Sequence, residues 1–442
     1  MPNLYNSQIK LLKEIKKITN KFHKNEFNPF YDTPLYFTSY SDGAGLIVLK
    51  KLAGQKVNFF KSFFFILKDF LYSGYYDYYK IIESTNTNDC NKMIVTWAFK
   101  NSFKKNGSLN DKYFNINSRS LKNIKWFVLY LEKDLPKKID KNIILFQTIS
   151  KKKINFLSLI NFFLINIKYL FKDIKYFLFS ISNHSFFSHK FLEVFKNYIN
   201  KKIKLIVIPY EGQPFQNNLI SYLKENTTIK TVGYIHSPPL AFPSNFIKKK
   251  FSPSKIVLNG NDQFKCFVNC LGWNKRDIKI KESNRFLNKK TNFSKTIFLP
   301  FNINSETVIL NSLQFLMKNL NICLRDFAVR NHPQHKNSKK NNIMLKKITY
   351  LIKNQKIIKN SRYKSLAIFI GASGGIVEAL ERGYKVIQIC EIPIFEAYSN
   401  KIYKSIKGKK LTDNIFTYSL VKKGSLIQLG KKPKNLNNFF IN

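Results

Sequence analysis

Phe369-Ile-Gly-Ala-Ser-Gly-Gly-Ile-Val-Glu-Ala-Leu-Glu-Arg-Gly-Tyr-Lys-Val-Ile-Gln-Ile389 changes its pattern repeatedly within a short space. Ala367 to Ile370 is an apolar run rich in branched residues; Gly371, Ser373, Gly374 and Gly375 interrupt it, and a helical pattern starts at Ile376. Gly383 stops that helix, and Lys385 to Ile389 reads as a second buried strand. The unit is therefore βαβ, a piece of parallel sheet, and in such sheets ligands sit at the carboxyl ends of the strands. The turn Ala372 to Gly375 would point backbone N–H groups and the Ser373 hydroxyl at an anion, with the start of the next helix adding partial positive charge; a phosphate suits it. No Gly-Lys-Ser/Thr follows and the spacing is not Gly-x-Gly-x-x-Gly, so neither generic phosphate loop explains the turn. A turn whose glycines serve packing alone is the plainer alternative.

Outward from this unit, 442 residues exceed one ordinary core and point to two domains of roughly two hundred residues each. Hydrophobic content of 44%, with 15% aromatics, argues for a folded chain. Lys plus Arg number 75 against 26 Asp plus Glu, a net charge of +49 that raises nucleic acid or an anionic membrane surface as partner. The basic residues are spread along the whole length among abundant Asn, Ile, Phe and Tyr, which looks like base-composition bias. No Arg-rich arm, zinc-finger spacing or aromatic RNA-binding motif accompanies them, so no specific nucleic acid is expected. Such a surface would still be drawn to anionic head groups of the inner membrane. The five scattered cysteines do not form a disulfide framework and suit a reducing cytoplasm; Cys266 and Cys270 lack the neighbouring ligands of a metal site.

Met1 to Phe22 carries charges every few residues and reads as an amphipathic helix, neither a signal peptide nor a span. Met93 to Phe99 and Trp126 to Leu131 read as strands, separated by the polar stretch Lys104 to Lys122 with Asp111, Tyr113 and Phe114, a long loop assigned to the acceptor side of a cleft. Asn155 to Ser182 is the most hydrophobic segment, yet Asn161, Asn166, Lys168, Lys172, Asp173 and Lys175 break it below the roughly 18 uncharged residues of a span. Its amphipathic character leaves core packing and attachment to a membrane interface both open.

From Lys201 the chain becomes regular. Ile203 to Pro209, Lys230 to Ile235 and Ser254 to Leu258 read as buried strands alternating with helices, and Glu211, His236 and Asn259 stand at or just past their carboxyl ends. Singly, Glu211 also suits a helix N-terminus and His236 a hydrogen-bonded loop; three polar residues at three strand ends favour a site. Past the polar linker Lys289 to Ser294, strand Thr296 to Phe301 and helix Ser305 to Leu316 open a second series, followed by Phe327-Ala-Val-Arg-Asn-His-Pro333, a strand delivering Arg330 and His332 into a loop.

These motifs carry a resemblance. Ser373, Glu378, Ala379, Leu380, Gly383, Val386 and Ile387 resemble the Ser-rich turn and Glu-Ala-Leu-x-x-Gly-x-x-Val-Ile pattern in the C-terminal nucleotide-binding domain of GT-B glycosyltransferases. Glu211-Gly-Gln-Pro-Phe, Gly233-Tyr-Ile-His-Ser, Leu258-Asn-Gly, Leu271-Gly-Trp and Glu282-Ser-Asn-Arg-Phe286 look like a group of bacterial surface-carbohydrate biosynthesis proteins similar to GT-B transferases. Arg330 followed by His332-Pro333 resembles the His-Pro motif with which bacterial sialyltransferases and CDP-glycerol-type polymer transferases hold a cytidine nucleotide. The match is good over Lys201 to Phe286 and looser over Lys295 to Lys404, and the first half of the chain matches nothing specific. Those sialyltransferases place an acidic residue before the acid of their Asp/Glu-Gly motif, where this chain has Tyr210.

The resemblance implies an α/β fold with two Rossmann-like domains facing a cleft, GT-B-like. Residues 1–288 would form the acceptor-side domain, with an amphipathic helical insertion near 155–182; residues 295–425 would bind the nucleotide-sugar, and 426–442 stay unassigned. The implied activity is transfer of a sugar or polyol phosphate, in surface polysaccharide synthesis, from a CMP-, CDP- or UDP-linked donor to a glycan or lipid-linked acceptor. The donor is a substrate, and no permanently bound cofactor is expected. Glu211 and His236 are the catalytic candidates and Asn259 lies on the acceptor side. Arg330, His332, Pro333, Ser373, Gly374, Gly375 and Glu378 are the nucleotide-binding candidates. No Asp-x-Asp appears, which points away from a metal-bound donor. A non-catalytic scaffold of a polysaccharide assembly complex and a basic nucleic-acid-binding protein are the alternatives. Cytoplasmic placement, peripheral on the inner membrane, completes the expectation.

Overall fold

Two sheets are built from two stretches of chain, each from alternating apolar strands and helices. The computed structural model describes residues 2–22, 27–28, 32–33, 44–76, 78–83, 90–121, 123–149, 153–171, 174, 181–287, 292–332, 338–355 and 365–430. The first sheet holds β1 (Tyr78–Glu83), β2 (Lys92–Ala98), β3 (Ile124–Tyr130), β4 (Ile143–Ile149), β5 (Leu205–Pro209), β6 (Lys230–Tyr234), β7 (Lys255–Leu258) and β8 (Ile278–Ile280), in the order β1-β4-β3-β2-β5-β6-β7-β8. All pairs are parallel except that of β1, an antiparallel edge strand beside β4. The strands read as near-continuous runs of Val, Ile, Leu and Phe because parallel strands are covered on both faces. Met93, Ile94, Phe127, Val128, Ile206 and Val207 are accordingly buried. From β2 the chain builds outward through β3 and β4, then returns to the other side of β2 with β5. Strand order therefore reverses between β2 and β5, and an open sheet forms its crevice at such a point.

The second sheet holds β10 (Thr296–Phe298), β11 (Ala328–Arg330), β12 (Leu366–Ile370), β13 (Lys385–Ile389), β14 (Ile406–Lys410) and β15 (Ile415–Leu420), in the order β11-β10-β12-β13-β15-β14. The first four are parallel and the last two pair antiparallel. Order reverses between β10 and β12, so this sheet has its own crevice beside the turn that follows Ile370. The chain is thus α/β with two Rossmann-like sheets, the GT-B-like class expected from its sequence.

Contacts between the two halves run through several segments. Helix α1 (Pro2–Phe22) reaches the second sheet's elements, where Gln8 Nε2 donates to the carbonyls of Ile394 (3.1 Å) and Ala397 (2.8 Å). The Tyr398 hydroxyl donates to Pro239 O (3.0 Å) and that of Tyr403 to Leu240 O (2.6 Å), clamping the loop after β6. Ser425 to Gly430 returns to the first half: Asp262 N donates to Ser425 O (2.8 Å), Gln428 N to Asn259 O (2.7 Å), and β9 (Ser283–Leu287) pairs in parallel with β16 (Leu429–Gly430). Of the tail left unassigned at 426–442, residues 431–442 lie outside the described residues, as do 288–291 of the linker and 172–173 and 175–180 of the hydrophobic segment. Within that segment Phe156–Asn166 is helical and Ile167–Tyr169 a 3₁₀ turn. Among the described residues no helix is long and apolar enough to cross a membrane.

Candidate functional site

The loop after β5 is wired to itself before it presents any side chain. Gly212 has φ +72°, and a Cβ there would stand 2.3 Å from Asn245 O, so only glycine turns the chain at this point. Asn245 Nδ2 donates to Glu211 O (2.7 Å), while Gln216 Oε1 accepts from Glu211 N (2.9 Å) and Gln213 N (3.3 Å). Fixed in this way, the Glu211 carboxylate accepts from Gln213 Nε2 (2.6 Å) through Oε2 and lies 3.1 Å from His236 Nε2 through Oε1.

The hydrogens of His236 follow from its second partner. Arg285 Nη1 stands 2.7 Å from His236 Nδ1, and a guanidinium can only donate. Nδ1 is therefore unprotonated, and the ring proton sits on Nε2, donated to Glu211. Burial lowers the imidazole pKa, and Arg285 lowers it further, against the raising effect of Glu211; the net shift is downward and the ring is neutral. Burial pushes the Glu211 carboxyl up. The hydrogen bonds from His236 and Gln213 and the charge of nearby Arg285 outweigh that effect, so Glu211 ends below its ordinary value and ionised. Its side chain remains about a third exposed, at 32%.

Arg285 comes from β9, the strand joining the two halves, and lies 5.7 Å from the Tyr113 ring centre; Tyr113 in turn meets the His236 ring edge-on at 4.6 Å. The loop carrying Tyr113 is held by Asp111, whose buried carboxylate accepts from Phe114 N (2.6 Å), Tyr113 N (2.8 Å) and Thr96 Oγ1 (2.5 Å). Burial pushes Asp111 up to about 6 in spite of those bonds. The loop expected on the acceptor side thus meets the cluster through Tyr113, for which the sequence had no individual role. Arg285 lay inside a quoted motif without one, and no local signal pairs it with His236.

Two sequence candidates take different places from those expected. His236 is only 2% exposed and both ring nitrogens are engaged, so it orients Glu211 and has no free nitrogen for substrate. Asn259 is fully buried; its Nδ2 donates to Ile235 O (2.5 Å) and its carbonyl accepts Gln428 N, making it a joint between strand ends and the returning tail instead of a cleft-facing acceptor contact.

At the second sheet, Ser373 to Gly375 follow β12 and His332 follows β11; both strands run parallel to β10 between them, so both loops leave the same edge, separated by about 10 Å in strand spacings. The Ser373 side chain accepts from Gly375 N (3.2 Å). Gly371, φ +68°, opens the turn. The His332 ring stands edge-on to Phe301 at 5.4 Å, and Arg330 is exposed at the end of an edge strand. Pro333 lies outside the described residues. Glu378 pairs with Arg382 one helical turn on (3.0 Å), so its carboxylate is engaged along its own helix. A residue at this edge that the sequence reading passed over is Glu391, directly past β13. Its Oε1 accepts from Asn304 N (2.7 Å) and from Ser305 N, and the strand-end signal that picked out Glu211 applies to it equally.

The two edges meet. A Cβ at Gly374 would stand 3.1 Å from Pro238 Cγ, two residues past His236, so the Ser373 turn lies against the loop of the first site. A cavity of about 330 Å³ lies against β1, β3, β4 and the helix Asn183–Phe195, with Trp97, Phe146, Phe186, Phe187 and Phe215 in its wall and Gln213, the partner of Glu211, among its polar lining residues.

No family model matches the chain, and no curated protein does. Among solved structures, a glycosyltransferase from Rickettsia africae ESF-5 is similar at 15% identity over 68% of this chain and 79% of that one, with a TM-score of 0.32. The N-terminal domain of trehalose-6-phosphate phosphatase from Candida albicans is similar at 11% identity over 68% and 82%, with a TM-score of 0.34. At identities and TM-scores this low neither likeness bears on function, and the site stands on its own geometry.

Proposed function

We propose that this chain moves a sugar or polyol phosphate from a nucleotide donor to an acceptor hydroxyl in the synthesis of a surface polysaccharide such as capsule, O-antigen or lipopolysaccharide. The observation that carries this reading is the juxtaposition at Pro238 and Gly374. It brings the crevice of one sheet, with an ionised and partly open Glu211, against the crevice of the other, with an anion-suited turn. In sugar transfer, the acceptor oxygen forms a bond to the anomeric carbon while the bond from that carbon to the donor phosphate oxygen breaks and the nucleotide leaves with the electron pair; in polyol-phosphate transfer, the acceptor oxygen bonds to the distal phosphorus while the bridging P–O bond breaks and the nucleoside monophosphate leaves with that oxygen and its electron pair. Glu211 would accept the hydroxyl proton, and the Ser373 hydroxyl, the N–H group of Gly374, and the Arg330 and His332 side chains would stabilise the leaving charge. The aromatic cavity beside Gln213 fits an acceptor that carries an apolar group next to its reacting hydroxyl, as a lipid-linked glycan does.

A thermal-shift panel of CMP, CDP, UDP and GDP tests the donor half. A ligand at a hundred times its dissociation constant stabilises by about 2.7 kcal/mol. A shift with a cytidine or uridine nucleotide is the expected result; none with any nucleotide would overturn the donor assignment. Binding without release of nucleotide from any sugar nucleotide would make the chain a scaffold.

A further inference from the structure

We propose that α3 (Phe59–Ser73) and α4 (Phe156–Asn166) form a docking face for an anionic lipid bilayer. Each helix is apolar on two sides. In α3, Ile66, Phe70 and Ser73 form the buried stripe, while Phe60 and Phe64, one turn apart on the far side, are 73% and 64% exposed. In α4, Leu159, Phe162 and Asn166 are buried, while Leu157 and Leu164, two turns apart on the opposite side, are 74% and 56% exposed. Both helices pack on the same aromatic cluster, with Phe70 and Phe162 rings 6.2 Å apart, and turn their second apolar sides away from it. A helix apolar all round is ordinarily buried, and an exposed apolar surface of this extent on a folded chain marks a contact with something else.

Charge selects the occupant. Lys61 and Lys68 on α3 and Lys153 and Lys168 flanking α4 are exposed. The stretches 44–76 and 153–171 contain a single acid, Asp69, and its carboxylate already accepts from Asn183 N (3.0 Å). Apolar side chains rimmed by lysine suit the head-group region of an anionic leaflet, where the apolar stripe enters the acyl boundary and each basic residue is attracted to the surface. A second copy of the chain is opposed by the +49 charge each would carry. Neither helix is long enough to span, so the contact is interfacial. The docking itself does not depend on the transfer reading above.

The test is co-sedimentation of the full chain with vesicles of phosphatidylcholine, alone or mixed with phosphatidylglycerol, for wild type and for Phe64→Glu and Leu157→Glu, separately and together. Both positions are exposed, so melting temperatures should stay close to wild type; Phe64→Ser and Leu157→Ser serve if they do not. The expected result is sedimentation with the anionic vesicles and a drop of at least about tenfold in partitioning for the double variant. In addition, Phe64→Trp should shift its emission to the blue on vesicle addition. Absence of binding to the anionic vesicles would overturn the proposal. Binding abolished by salt but indifferent to the substitutions would overturn it too, leaving adsorption by general charge. A wild-type dimer in light scattering that the same substitutions dissolve would assign the face to a second copy instead.

Discussion

The carboxyl edges of the two sheets are built in opposite ways. At the first, polar groups are tied to one another: Gln213 and His236 hold Glu211, Arg285 holds His236, Asn245 and Gln216 hold the loop backbone, and Asp111 holds the loop of Tyr113. At the second, the Ser373 turn and the segment of Arg330 and His332 are half-buried or exposed, and the turn is held mainly by its own backbone, through Ile376 N to Ser373 O (3.2 Å), and by Gly375 N to Ser373 Oγ (3.2 Å). A group that must take a proton in one geometry benefits from a fixed shell, since misplacement of even an ångström is costly. A surface that must admit and release a charged ligand benefits from donors that are still accessible. The contrast teaches that the first edge is suited to chemistry and the second to binding.

Substitutions can break that contrast, beginning with the one of largest expected effect. Glu211→Gln should lower turnover by roughly 10²- to 10⁴-fold while nucleotide affinity changes by no more than about twofold, because a proton acceptor acts in the transition state. Steady-state kinetics beside a nucleotide titration decides this; equal losses in both would place Glu211 in binding. Gly212→Ala should cost about 3 kcal/mol of stability, from a left-handed φ and the collision with Asn245 O, whereas Gly374→Ala, facing only Pro238, should leave the denaturation midpoint nearly unchanged. Comparable midpoints for the two variants would erase the distinction between a locked and an open edge.

His332→Ala should weaken nucleotide binding by roughly ten- to a hundredfold without unfolding, the range expected for a hydrogen bond to a charged group. Wild-type affinity in calorimetry would remove His332 from the site. Arg285→Ala frees His236 Nδ1 and removes a cation that lowers its pKa, so the imidazole should protonate at higher pH. The expected outcome is a turnover several-fold lower with KM little changed and an acid limb displaced upward, partly restored by Arg285→Lys. An unmoved pH profile would reduce Arg285 to packing.

The smallest effect is on stability alone. Burial, reinforced by the charge of Glu391, pushes Glu396 from 4.5 up to about 8. A carboxyl with a raised folded pKa binds its proton more tightly in the native state, so stability should decline as pH rises from about 4.5 to about 8 and then level off. Glu396→Gln should flatten that decline and raise the melting temperature at pH 8 by a few degrees, with no change near pH 4; a decline persisting in the variant would assign it to other groups.

What the sequence determined by itself is what short-range physics specifies. The βαβ unit around Ser373 was legible because apolar runs, glycine breaks and helical periodicity all lie within neighbouring residues, and β12, α10 (Gly375–Glu381) and β13 fall where those signals end. The positions of Glu211, His236 and Asn259 past β5, β6 and β7 were legible for the same reason. Which of them faces a cleft was not. His236 turned inward because Arg285, 49 residues away, meets its Nδ1, and Asn259 became a joint because the chain returns at Gln428. The antiparallel strands β14 and β15, whose burial is interrupted by exposed residues, gave weaker runs than the parallel strands. Strand order, the two crevices it creates and the meeting of Gly374 with Pro238 belong to the tertiary structure alone. They depend on which apolar faces pack together across the chain, and periodicity identifies a face without naming its partner.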